Sequence, residues 1–255
     1  MKLVLYWRLA RIVAHVFLGM LICGAVFPWA GPQRHDALVR RWSRRLLGLC
    51  NVRLATTGAA PLAHAMVVAN HVSWLDIFVI NSVYPCRFVA KAEIRAWPML
   101  GWLAAGAGTV FIARGDRRGL RHLFTGLVDK LRSGERIAFF PEGTTAAHGT
   151  LLPFHPNLFE AAIDAGVPVQ PLALAYADPL GAVPAALDFT GDTSVQQSVL
   201  AILGGPPVTA SVAFLAPLTS VDAHRRDLAA AARQAVAAAL GMSTAGEGAR
   251  RSAAD

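Results

Sequence analysis

The chain has 255 residues, 55% of them apolar and 16% charged, enough for one large α/β domain and more apolar than an ordinary soluble one. Its net charge is +8, yet residues 1–55 hold nine Lys/Arg against the single acid Asp36, and the rest of the chain holds fifteen of each sign. A body with balanced charge excludes a general nucleic-acid surface, which needs a basic face, and points instead to a basic N-terminal element meeting an anionic layer such as lipid headgroups.

Ile12 to Ala30 carries no charge and is nearly all apolar, which reaches the lower edge of a membrane span. Arginines flank it on both sides, so charge chooses no orientation. A run that enters and returns, or that lies in the interface, satisfies both flanks, with Pro28 and Gly31-Pro32 supplying the turn. The Trp29-Ala30-Gly31-Pro32 stretch is a poor cleavage site, which argues against a secretory signal. Arg34 to Leu49 reads as a basic amphipathic helix, with Leu38, Trp42, Leu46 and Leu49 on one stripe and Arg40, Arg41, Arg44 and Arg45 largely opposite. That composition suits an interfacial anchor; the alternative is a helix that packs its stripe on the domain.

Ala65-Met66-Val67-Val68-Ala69 reads as a buried strand. Asn70-His71 leaves it, and Ser73-x-x-Asp76 opens the next apolar run in the pattern of a capped helix. With Ser73 as N-cap, Asp76 points back at the His71 ring, and a His held by an Asp is a prepared general base. Taken alone, the pair is equally a turn histidine beside half of a capping box.

Downstream, strand and helix alternate. Helices are expected over Leu75–Val83, Trp97–Ala105, a segment capped by Asp116 and running to Arg132, Asn157–Ala165, Ser194–Leu203 and Asp222–Leu240. Strands are expected over Arg87–Lys91, Thr109–Ala113, Ile137–Phe140, Pro168–Tyr176 and Val208–Leu215. Pro171 implies an edge position or a bulge within its strand. The pattern defines a single α/β domain, residues 56–242, with a mixed sheet flanked by helices. It is preceded by a membrane-associating helical arm, residues 1–55, and followed by a disordered tail, residues 243–255.

The three cysteines, Cys23, Cys50 and Cys86, form no Cys-x-x-Cys pair and fit a reducing compartment. His148 and His155 make only a weak metal pattern. No nucleophile elbow, phosphate loop or His-Glu-x-x-His is present. Two strand ends carry site material. Thr109–Ala113 delivers Arg114, a side chain suited to an anionic oxygen cluster. Ile137–Phe140 delivers Glu142, Gly143 and Thr144.

Four blocks, in order, resemble the glycerophospholipid acyltransferases, the group that includes the 1-acyl-sn-glycerol-3-phosphate acyltransferases. They are Asn70-His71-x4-Asp76, Gly108-Thr109-Val110-Phe111-Ile112-Ala113-Arg114, Phe140-Pro141-Glu142-Gly143-Thr144 and Val167-Pro168-Val169-Gln170-Pro171. The resemblance implies that His71, oriented by Asp76, takes the proton of a lysolipid hydroxyl that attacks an acyl thioester. Arg114 would bind the headgroup phosphate, and Glu142, Gly143 and Thr144 would shape the acceptor site. It implies no metal and no redox cofactor. The partners it implies are membrane lipids, a lysolipid acceptor and acyl-CoA or acyl carrier protein as donor, and the place is the cytoplasmic side of the cell inner membrane. Many members carry an arginine after the Glu-Gly-Thr, where this chain has Thr145. The run Thr144–Phe154 with Asn157–Ala162 also resembles enzymes that acylate lyso-ornithine lipid. Phosphatidate synthesis is the first reading, lyso-ornithine lipid acylation the second and a non-catalytic lipid-binding module the third.

Overall fold

The computed structural model describes residues 2–112, 117–147, 149–182, 184, 187 and 195–242. Among these, seven strands form one mixed sheet: β1 (Val52–Gly58), β2 (Met66–Ala69), β3 (Arg87–Lys91), β4 (Val110–Ile112), β5 (Ile137–Phe139), β6 (Val169–Ala177) and β7 (Val208–Phe214). Their order is β1-β7-β6-β2-β5-β3-β4. Only β6 and β7 run antiparallel; every other pair is parallel.

Among the described residues eight α-helices accompany the sheet: α1 (Lys2–Ala25), α2 (Pro32–Leu49), α3 (Asp76–Val83), α4 (Leu100–Gly106), α5 (Arg117–Arg132), α6 (Phe159–Ala165), α7 (Val195–Gly204) and α8 (Arg225–Ala239). The sheet is covered on both faces. Val67 and Ala69 of β2 face a core with Leu46 and Leu47 of α2, Val79 and Ile80 of α3 and Ile202 of α7. Met66 and Val68 face a second core with Leu127 and Leu131 of α5, Phe159 of α6 and Leu228, Ala232 and Val236 of α8. Burial on both faces is why β2 reads as an unbroken apolar run rather than an alternating one.

The expected mixed-sheet α/β architecture with an apolar N-terminal helix is present. Three local expectations are adjusted or decided. The boundary at residue 55 falls inside β1, whose Val52–Gly58 pair with Val208–Phe214 of β7; the sheet therefore begins before it. Pro171 is not on an edge, because β6 lies between β7 and β2. The bulge alternative holds instead: Leu172 faces Phe214 while Val169 bridges Leu218, so Leu215–Pro217 oppose only Gln170 and Pro171. The extra residue lets an interior strand accommodate a residue with no N–H. The helix expected over Trp97–Ala105 is α4, which begins later, at Leu100, after a 3₁₀ turn at Ala92–Ala96. Asp116 and the tail from residue 243 lie outside the described residues.

The largest change concerns α2. Its stripe is not turned outward. Leu46 is buried, Trp42 packs against the core beside Phe78 of α3, and Arg40, Arg41, Arg44 and Arg45 remain exposed on the other side. An apolar surface is instead left free on α1. Its inward positions recur at helical spacing, with Arg8 donating to the Leu203 carbonyl and His15 stacked on Trp42. The His15 ring bonds the Trp42 carbonyl while the Trp42 indole N–H donates to the His15 carbonyl. Gly19 makes this approach possible, since a Cβ there would sit 2.6 Å from the Trp42 ring. The outward positions Val4, Trp7, Val13, Phe17 and Leu21 are exposed.

Asp36 of α2 binds Arg87 at 3.0 Å and Arg136 at 2.6 Å, tying the helix to the starts of β3 and β5. Burial pushes its carboxyl up, but the His35 bond and both guanidiniums outweigh that and hold it below the ordinary value of 3.8. A depressed carboxyl stabilises the fold above the unfolded-state pKa, and the contribution is lost as pH falls through the folded one. Asp36→Asn is therefore expected to cost about 1–2 kcal/mol at neutral pH. In thermal unfolding followed against pH in detergent, the gap from the native protein should narrow as both are taken below pH 3.8.

Candidate active site

Parallel strands bring the chain out at one edge of the sheet, where open α/β sheets form ligand crevices. β2 ends at Ala69 and β5, its neighbour, at Phe139, so His71 and Glu142 leave adjacent strands side by side. Asn70 fixes the exit. Its amide donates to the Leu174 carbonyl at 2.9 Å and accepts from the Leu174 N–H at 2.7 Å, locking the end of β2 to β6.

His71 Nδ1 lies 2.8 Å from Asp76 Oδ2. The same oxygen accepts the backbone N–H of Val72 at 2.7 Å and of Ser73 at 2.9 Å. Thus Asp76, the first residue of α3, caps its own turn, and Ser73 does not serve as the helix N-cap. The other carboxylate oxygen accepts the Tyr176 hydroxyl at 2.5 Å. Asp76 is fully buried, and four donors satisfy it. Burial, then the adjacent Asp76 charge, push the Tyr176 phenol well above its ordinary range, so it stays a donor.

With Nδ1–H committed to Asp76, the tautomer leaves the lone pair on Nε2. The ring stacks on Phe140, centroids 3.9 Å apart and planes within 6°, and its side chain keeps 18% of its surface in solvent. Carboxylate on one side and aromatic plate on the other give the imidazole one orientation with an open edge.

Glu142 is placed differently from the sequence expectation. It is buried, and its two oxygens are taken by backbone: one accepts the His71 N–H at 2.7 Å, the other the Leu152 N–H at 2.8 Å. Burial pushes its pKa up, against the two N–H bonds that pull it down. It holds the His71 turn rather than facing a ligand. The neighbouring Gly143 has φ +70°, and a Cβ there would approach the His155 ring at 3.6 Å. Gly143 and Thr144 are exposed at the mouth. The His71 carbonyl accepts the Ala146 N–H at 2.8 Å, closing the loop over the turn. Arg114 and His148 lie outside the described residues; β4, which leads to Arg114, ends on the same edge. Among the described residues no His/Cys/Asp/Glu group is arranged to hold a metal.

Sequence reasoning missed Asn70, Phe140 and Tyr176 as site-builders. The first two carry a local signal, flanking His71 and Glu142 in the quoted blocks. Tyr176 carries none, since it meets Asp76 only through strand pairing.

The chain and its fold are similar to those of known proteins. A family model described as Acyltransferase matches residues 53–175. A lyso-ornithine lipid O-acyltransferase from Pseudomonas aeruginosa is 37% identical, the match covering 94% of each chain. A 1-acyl-sn-glycerol-3-phosphate acyltransferase from Neisseria meningitidis is 42% identical over 59% of this chain and 60% of its own. The crystal structure of the 1-acyl-sn-glycerophosphate acyltransferase PlsC from Thermotoga maritima superposes with a TM-score of 0.66 at 19% identity, covering 92% of this chain and 96% of that one. The chain belongs to the acyltransferase family. With α1 long and apolar enough to meet a bilayer, it is a membrane-associated enzyme of lipid acylation.

Glu142→Gln presents an amide N–H to a backbone N–H at one of its two sites. The buried mismatch is expected to cost about 1–3 kcal/mol, read as a thermal midpoint lowered by about 2–4 °C per kcal/mol. An unchanged midpoint would show that the clamp on His71 is not holding.

Proposed function

We propose that the enzyme moves a fatty acyl group from a thioester of coenzyme A or acyl carrier protein to the free hydroxyl of a lysolipid, with 1-acyl-sn-glycerol-3-phosphate as acceptor and phosphatidic acid as product. The observation that carries this reading is the His71–Asp76 pair, 2.8 Å apart, with its free nitrogen edge open at the mouth of the crevice. The acceptor hydroxyl gives its proton to His71 Nε2 as its oxygen bonds to the thioester carbonyl carbon. The C–S bond then breaks, and the leaving thiolate takes the proton back from the imidazolium. Asp76 fixes the tautomer and stabilises the cation that forms in between. Arg114 would hold the acceptor's phosphate, and Gly143 and Thr144 would border it. The site faces the cytoplasmic side of the inner membrane, where thioesters are available.

A second reading has its own support. Thr145 stands where a second phosphate-binding arginine is common, and the relative from Pseudomonas aeruginosa that matches along 94% of both chains is named for lyso-ornithine lipid.

His71→Ala is expected to lower turnover by about 10²–10⁴-fold, the usual worth of a positioned general base. The assay offers purified protein one acyl donor and, in parallel, labelled lysophosphatidate and lyso-ornithine lipid. Preference for lysophosphatidate supports the first reading and preference for lyso-ornithine lipid the second. Turnover indifferent to His71→Ala removes the base.

A further inference from the structure

We infer that the segment from Trp97 to Trp102 is a second membrane contact, a preformed apolar wedge that enters a lipid surface beside α1 and sets the mouth of the crevice against the bilayer. The inference deepens the membrane reading above and rests on it. Four large apolar side chains follow one another on this short stretch and all stand out in solvent: Trp97 at 43%, Met99 at 45%, Leu100 at 36% and Trp102 at 56%. No described residue covers these exposed faces, whereas the comparable side chains of α2 are packed against the domain.

The wedge is held by its own backbone bonds, at some cost. Met99 has φ +59° and ψ −50° at the centre of a γ-turn closed by the Leu100 N–H on the Pro98 carbonyl at 2.6 Å, a strained conformation that penalises a residue with a side chain. Two residues on, a Cβ at Gly101 would sit 2.2 Å from the Arg95 carbonyl oxygen, so only glycine lets α4 start this close to the preceding turn. The Gly101 N–H donates to the Trp97 carbonyl at 2.9 Å and the Leu103 N–H to the Met99 carbonyl at 3.0 Å, closing the loop on itself. Strain spent on displaying a methionine and two tryptophans to solvent is explained by an apolar phase that receives them.

Three observations identify that phase as lipid. The patch is continuous with the exposed face of α1: α4 packs on α1, where Gly106 admits the Cys23 side chain and a Cβ at Gly24 would stand 3.7 Å from the Trp102 ring. Its composition is interfacial, tryptophan and aliphatic residues rimmed by exposed Lys91 and Arg95, with Glu93 the one acid between them. Its place suits the chemistry. The 3₁₀ turn that carries it follows Lys91, the last residue of β3, and β3 is parallel to β5 and β5 to β2. The wedge therefore lies on the same edge of the sheet as His71, and a lysolipid can present its hydroxyl without leaving the bilayer.

The test uses the full-length protein with vesicles of phosphatidylethanolamine and phosphatidylglycerol, and with the same lysolipid in detergent micelles. Trp97→Ser/Met99→Ser/Trp102→Ser should keep its micellar turnover and lose about ten-fold or more at the vesicle surface, on the scale of the apolar area withdrawn from lipid. Equal turnover in both media overturns the wedge. Met99→Gly covers the case in which the triple variant fails to fold. Glycine accepts the positive φ, so its thermal midpoint should rise while its binding to vesicles, titrated against lipid, weakens. A higher midpoint with unchanged vesicle binding overturns the inference. If the native protein turns over neither acceptor, the enzymatic reading fails, and the vesicle titration still decides the wedge.

Discussion

The site depends on one buried carboxylate. Asp76 has no contact with water, and burying a charged carboxylate is tolerable only when donors replace the solvent. Here the replacement is complete: an imidazole N–H, two backbone N–H groups and a phenol surround it. Satisfying Asp76 requires β2 to end where it does, α3 to start without a spacer and β6 to lie beside β2. The imidazole is thus positioned by the same bonds that make the interior electrically acceptable. Removing the phenol or shifting the turn would leave a buried acceptor short of a partner, which costs more than the bond itself contributes.

Around this carboxylate the turn is clamped from below. Glu142 spends both of its oxygens on the backbone of His71 and Leu152, although its position after β5, beside an exposed glycine and threonine, reads as a ligand-facing residue. Two buried acids therefore meet at His71: one holds the ring, the other the main chain. Their division of labour follows from direction. Asp76 looks out from the first turn of a helix toward the ring, while Glu142 looks back from a loop toward the strand exit.

What was legible in the sequence was what is local or periodic. The strand-to-helix turn, the His71–Asp76 pairing and the alternation of strands and helices all follow from short-range pattern, and the mixed sheet follows from that alternation. The stripe on α2 was visible, but a stripe that faces lipid and one that faces protein have the same composition, so composition could not assign Trp42 to the core. Pro171 announced an irregularity, and tertiary pairing decided that it is a bulge within the sheet rather than an edge. Tyr176 left no trace, because its partner is 100 residues away. Met99 left none either: its unusual backbone belongs to a γ-turn at the entry to α4.

The Asp76–Tyr176 bond has a further consequence, in the order of synthesis. The apolar α1 precedes every strand of the sheet in the chain, so it leaves the ribosome before the elements that build the site. The phenol that completes the carboxylate's shell is translated 100 residues after that carboxylate. β1 waits longer still, for β7. The element that meets the membrane is thus made before the surroundings of the imidazole are complete.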